Sequence, residues 1–154
     1  MEMSESDYNK IYKLQLENSL EFQDYICFKL CTVGIIIQNI GSKKYQRYME
    51  NLLGLEIKND KIFRETNRLY IETHEKSHPL NEFYILSGIY RNDNCWLFGI
   101  GDEKDFWIFS KKTLIRLHKE KPDWLFIPNS TPTSKGFCIP LEYANEYAEL
   151  HFEW

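Results

Sequence analysis

The spacing of hydrophobic positions changes along the chain, and each change predicts an element. After Asn18, apolar residues recur at helical intervals through Leu20, Tyr25, Ile26, Phe28, Leu30 and Val33, and Gly34 closes the run. Asn18 with Glu21 three residues on matches a capping box, so a helix is expected to start there. Residues 1–17 are polar with scattered apolar positions, which predicts a leading arm or short helix ahead of a core over 18–154. The β-branched run Ile35-Ile36-Ile37 predicts a buried strand. Alternation over 53–60, and again over 68–76, where Leu69, Ile71 and Thr73 oppose Tyr70, Glu72 and His74, predicts two further strands. Cys95–Ile100 and Phe106–Phe109 read as a hairpin about residues 101–104, and Ser110 caps a helix that Pro122 ends. A short strand near Phe137–Ile139 and a closing helix, Leu141–Leu150, complete the order. No repeat or linker divides the chain, so residues 1–154 are expected to form one domain of α/β (α+β) class, a mixed central β-sheet flanked by helices.

Chemistry concentrates in Leu55-Glu56-Ile57-Lys58-Asn59-Asp60. In a strand, Leu55 and Ile57 point to one face and Glu56 and Lys58 to the other, so an acid and a lysine share a surface. A carboxylate there suits Mg²⁺ or Mn²⁺, and a lysine two residues on can orient an attacking water or stabilise a phosphate. The same pair on an exposed strand is ordinary solvation. If the strands at 53–60 and 68–76 form a hairpin centred near Arg64, Glu56 faces Glu72 and Lys58 faces Tyr70. Two carboxylates across a ladder repel unless a cation lies between them. A two-residue slip would instead give a plain Lys58–Glu72 ion pair, and the spacing leaves both registers open.

Charge narrows the range of partners. A formal net charge of -4 argues against coating nucleic acid by bulk electrostatics. It leaves room for local basic patches at Lys43, Lys44 and Arg47, and at Lys111, Lys112, Arg116, His118, Lys119 and Lys121. Cys27, Cys31, Cys95 and Cys138 contain no Cys-x-x-Cys pair, and no His pair has zinc-ligand spacing, which makes a zinc site or disulfide framework an unsupported reading. No apolar run is long enough to span a bilayer and no signal-peptide pattern opens the sequence, so a cytoplasmic protein without a membrane partner is expected. The aromatic fraction of 16% points to a dense core ahead of a base-stacking surface. His74, His78, His118 and His151 lack a nucleophile in a recognisable turn, and Gly99-Ile100-Gly101 lacks the third glycine of a phosphate cradle.

Gly54-Leu55-Glu56-Ile57-Lys58-Asn59-Asp60, preceded by Lys44-Tyr45-Gln46 and Glu50-Asn51 and followed by Arg68-Leu69-Tyr70-Ile71-Glu72 and Ser87-Gly88-Ile89, resembles a small phage- or mobile-element-type branch of the PD-(D/E)XK nuclease superfamily. The resemblance covers roughly residues 19–140. It implies a restriction-endonuclease-like fold and a metal-dependent nuclease with DNA as the expected substrate. Glu56 and Lys58 would be catalytic, and Glu50, Glu56 and Glu72 are the candidate ligands for Mg²⁺ or Mn²⁺. Glu21 would match the helix glutamate found in many members. Lys43, Lys44 and Arg47 would contact the nucleic-acid backbone, and cutting both strands of a duplex would call for a homodimer. Met49-Glu50 stands where the family has Pro-Asp. A competing alignment makes Glu56 or Asp60 the upstream acid and Glu72 the second, with His74 or Lys76 replacing the lysine. The other class of function open to such a chain is a non-catalytic binding or regulatory protein on the same fold.

Overall fold

The computed structural model describes residues 5–40, 45, 48–124 and 132–154. Its first element is a single helix, α1 (Glu5–Thr32), of 28 residues. Asn18 and Glu21 lie inside it, so the expected cap at Asn18 is not formed. Residues 5–17 contain no Gly or Pro, and Lys13 and Glu17 pair one turn apart at 4.0 Å, so nothing interrupts the helix there. Gly34 does end the run as expected. At φ +88° it lets Ile35 N–H reach Leu30 O at 2.9 Å and its own N–H reach Cys31 O at 3.1 Å, the paired bonds of a Schellman turn.

Ile35–Ile37 form no strand, and Ile36 is 83% exposed, which corrects the expected buried strand. Among the described residues, the chain just after it pairs with the stretch before β1, by Ile40 N–H to Glu50 O and Leu52 N–H to Gln38 O. Then follow β1 (Leu55–Asn59), a one-turn helix α2 (Phe63–Thr66), β2 (Arg68–Glu75), the two-residue β3 (Ile85–Leu86), β4 (Leu97–Gly101) and β5 (Asp105–Ser110). Helix α3 (Lys111–Glu120), β6 (Ser134–Pro140), α4 (Leu141–Tyr147) and β7 (Leu150–Glu153) complete the chain. Ser110 caps α3 as expected, its Oγ accepting from Thr113 N–H. The closing helix stops at Tyr147. The final residues alternate instead as a strand, with Phe152 and Trp154 packing into one core while His151 stacks on Trp107 at 4.4 Å.

The fold is α+β, with mixed sheets and helices. The strands form two sheets, however, in place of one central sheet. The larger has the order β1-β4-β5-β7, with β1 parallel to β4 and the other pairs antiparallel, and the smaller is β3-β2-β6, wholly antiparallel. The expected β1–β2 hairpin is therefore absent. Asn67, at φ +54°, follows α2, and the buried Phe63 anchors that helix in the same core as Leu69 and Ile71. Strand β2 thus lies over the larger sheet and does not extend it.

Two apolar layers result. Phe22, Ile26 and Leu30 of α1 cover one face of the larger sheet through Leu55, Ile57, Phe106 and Ile108. On the opposite face Phe98, Ile100, Trp107 and Phe109 meet Leu69 and Ile71, Phe137 and Ile139, and Leu114 and Leu117 of α3. Because Leu55 and Ile57 face α1, Glu56 and Lys58 point into the space between the two sheets.

Candidate active site

Strand β1 is the edge of the larger sheet, and Glu56 is its register partner to Phe98. Its carboxylate is fully buried, at 0% exposure. An unpaired charge in that position would cost several kcal/mol, and three cations prevent it. Lys58 Nζ lies 3.0 Å from Glu56 Oε1, Arg91 Nη2 3.5 Å from the same atom, and Lys111 Nζ 2.9 Å from Oε2. Burial by itself raises the Glu56 pKa, but Lys58, Lys111 and Arg91 outweigh it and hold the group at about 2.

Glu50 is brought to this cluster by a tight turn. Asn51, itself buried, brackets Leu55 with both its amide atoms, at 2.6 Å to Leu55 O and 3.1 Å from Leu55 N. Gly54, at φ +69°, closes the turn against Trp96, where a Cβ would meet the indole at 2.8 Å. The five residues between Glu50 and Glu56 therefore suffice to return the chain. Arg91 spans the two acids, Nη1 lying 3.1 Å from Glu50 Oε1 while Nη2 faces Glu56. Burial and then the Glu56 charge push the Glu50 pKa up.

Glu72 reaches the same space from the other sheet. Its two carboxylate oxygens accept from Ser87 Oγ at 2.8 Å and Ser134 Oγ at 3.1 Å. It does not lie across a ladder from Glu56, but its charge acts on Lys58. Burial would lower the Lys58 pKa, yet Glu56, Glu72 and Glu50 together raise it well above the ordinary lysine range. Sequence reasoning thus named residues that converge, although by a different topology from the hairpin it assumed.

Arg91, Asp93 and Lys111 are partners of this cluster that sequence reasoning missed. Asp93 Oδ1 accepts from Cys95 N–H at 2.9 Å and from Lys111 Nζ at 3.2 Å. In the sequence Lys111 groups with the basic residues of its helix, but it is turned inward, whereas Lys112, Arg116, Lys119 and Lys121 are exposed. A signal for it was present, since a lysine in a helix's first turn opposes the macrodipole and calls for a compensating anion. Ser87-Gly88-Ile89 organises the junction. Ser87 Oγ holds Glu72, Gly88 O accepts from Lys111 Nζ at 3.2 Å, and Gly88, at φ +51°, lies so close to Glu72 that a Cβ would collide with its carbonyl oxygen.

Other candidates are placed elsewhere. Asp60 accepts from Ile62 N–H and Tyr70 N–H, fastening the end of β1 to β2. His74 bonds to Thr73, Lys76 lies over the Tyr84 ring at 4.5 Å, and Glu21 is exposed on α1. Lys43, Lys44 and Arg47 lie outside the described residues.

Whether the acids suit a divalent ion depends on their arrangement. Neither Glu56 oxygen has a well-aligned hydrogen-bond donor, and Glu50 shares a bridging cation with it, a hard-oxygen pair of the kind Mg²⁺ accepts alongside water and phosphate. Glu72 does not complete a three-ligand set with them. Among the described residues such a set occurs only at Asp105, His151 and Glu153, where Arg64 already pairs with Asp105.

Beside the cluster, the space between the sheets opens into a cavity of about 470 Å³, lined by Lys58, Tyr70, Glu72 and Arg68 over a floor that includes Phe98 and Ile100. Among the described residues no helix is long and apolar enough to cross a membrane. No family model, curated protein or solved structure matches the chain.

Proposed function

We propose that this chain hydrolyses nucleic-acid phosphodiester bonds with the help of a divalent metal, with DNA as the expected substrate. One observation carries the reading: a fully buried carboxylate, Glu56, and a half-buried one, Glu50, are bridged by a cation and flanked by Lys58, which opens onto a cavity of ligand size. Glu50 and Glu56 would hold Mg²⁺ or Mn²⁺, which when bound supplies charge neutralisation at the phosphoryl oxygens and a more acidic water. Lys58 has a different task from a base. Its surroundings favour the protonated form, so its Nζ donates to a phosphate oxygen or holds the water's lone pair. Lys111, fixed by Glu56, Asp93 and Gly88 O, keeps the Glu56 carboxylate charged and oriented. Arg91 occupies the position between the two acids and would turn to the substrate phosphate when an ion takes its place. Glu72, held by two seryl hydroxyls, supports Lys58 from the opposite sheet.

A second reading, a non-catalytic binding or regulatory protein, draws support from the same cluster. Three cations already surround Glu56, so an ion must displace one of them. Cleavage of mixed DNA and RNA substrates in Mg²⁺, Mn²⁺ or EDTA, with native protein and Lys58→Ala, separates the two. Metal-dependent cutting lost in a variant of native thermal stability supports hydrolysis, and no cutting in any condition supports the binding protein.

A further inference from the structure

The cavity does not end at Lys58. A second depression, of about 350 Å³, shares Lys58, Asn59 and Lys61 with it and is otherwise walled by α1. Lys58, Asn59 and Lys61 line both, so they form a saddle between the two spaces. The remaining walls of the outer depression are Gln15, Asn18 and Ser19 of α1. In a chain of net charge -4, this groove is lined by two lysines, three amides and one hydroxyl, and by no acid. That composition suits a phosphate backbone, which takes its contacts from lysines and neutral polar donors. The inner cavity differs: its floor is apolar and its wall carries a tyrosine whose hydroxyl is already bonded to Ser134 at 2.7 Å. Its two acids are engaged, Asp60 by backbone N–H groups and Glu72 by serines.

We infer that the groove, the Lys58–Lys61 saddle and the inner cavity form one track for single-stranded polynucleotide, with an unpaired base in the cavity and its phosphate on the saddle. The inference rests on the hydrolytic reading for its chemistry but makes a separate claim about the form of the substrate. An unpaired base presents a π-face to Tyr70 and an apolar floor, whereas a base within a duplex is covered by its neighbours and cannot enter between two sheets unless it is extruded. Asn18 and Ser19 then also have a role that the capping box did not give them: they face the strand's next phosphate from the middle of α1.

The test uses the full chain in EDTA, so binding is read without cleavage. Fluorescence anisotropy would compare labelled eight-residue oligo-dT and oligo-U with a hairpin duplex of equal length, using native protein and Lys61→Glu, a change at an exposed position. The expected result is at least about tenfold tighter binding of one or both single strands, with loss of about tenfold and a shallower salt dependence in Lys61→Glu. Alkylation of Cys138, which lines the cavity, should slow when the single strand is bound. Equal or tighter binding of the duplex, unchanged binding in Lys61→Glu, or unprotected Cys138 would overturn the track. Duplex cleavage in Mg²⁺ without single-strand binding would overturn it while leaving hydrolysis intact. Single-strand binding with no cleavage would do the reverse.

Discussion

Lys111, the first residue of α3, sets its ammonium 2.9 Å from the buried carboxylate of Glu56 on β1, with neither side chain more than 8% exposed. The pair joins the edge of the larger sheet to a helix that begins straight after β5. Removal of the Lys111 ammonium leaves Glu56 with Lys58 and Arg91 but takes a charged hydrogen-bonding partner from both Glu56 and Asp93. Lys111→Met, which keeps the apolar stem and removes the charge, is expected to cost about 1.5–3 kcal/mol in urea unfolding. Arg64, paired with Asp102 and Asp105 at the surface and 46% exposed, is the control, and Arg64→Ala should cost less than about 1 kcal/mol. Equal losses would show that the buried cluster carries no special weight.

Acid stability should change in two opposing stages. Glu56, depressed to about 2, contributes on the order of 3 kcal/mol above its ordinary pKa near 4.5, and this is lost as pH falls from there towards 2. Glu50 is raised, so its ionisation costs stability as pH climbs through its folded pKa, and acidification first relieves that cost. Urea unfolding between pH 3 and 7 should show the relief in native protein and not in Glu50→Gln. The low-pH loss should remain in both.

If Glu50 and Glu56 hold a divalent ion as proposed, Arg91, which bridges them, must give up its place to it. Arg91→Ala is expected to lower thermal stability in EDTA and to recover more of it with Mn²⁺ than the native protein gains. Glu50→Gln added to Arg91→Ala should abolish that recovery. A Mn²⁺ response of the same size in all three proteins would locate the ion elsewhere.

Gly88 has neither the backbone angle nor the space for a side chain. Gly88→Ala should destabilise by more than about 1 kcal/mol, because it combines a positive φ with a collision against the Glu72 carbonyl. Gly34, also at positive φ but with nothing within 4 Å of where a Cβ would stand, isolates the backbone cost alone. The difference in urea midpoint between Gly88→Ala and Gly34→Ala measures the collision.

By itself the sequence determined what depends on near neighbours. Alternation placed β1 and β2 and assigned their faces, Ser110 fixed the start of α3, Gly34 fixed the end of α1, and Glu56, Lys58 and Glu72 stood out as polar residues within apolar strands. It misplaced the start of α1, because a capping-box pattern also fits inside a helix that nothing upstream interrupts. It missed β7, because a four-residue strand with mixed side chains leaves little periodicity to read. Tertiary structure alone decided that β1 pairs with the distant β4, Leu55 aligning with Leu97, in place of the adjacent β2. Pairing at that separation is chosen by burial, here of Phe63, Leu69 and Ile71 against Phe98 and Ile100, and burial is a property of the whole packed chain. The same packing turned an apparently solvent-facing Glu-x-Lys inward and recruited Arg91, Asp93 and Lys111 to it. A buried carboxylate needs counter-charge, and which distant residues supply it is settled only when the two sheets and α3 come together.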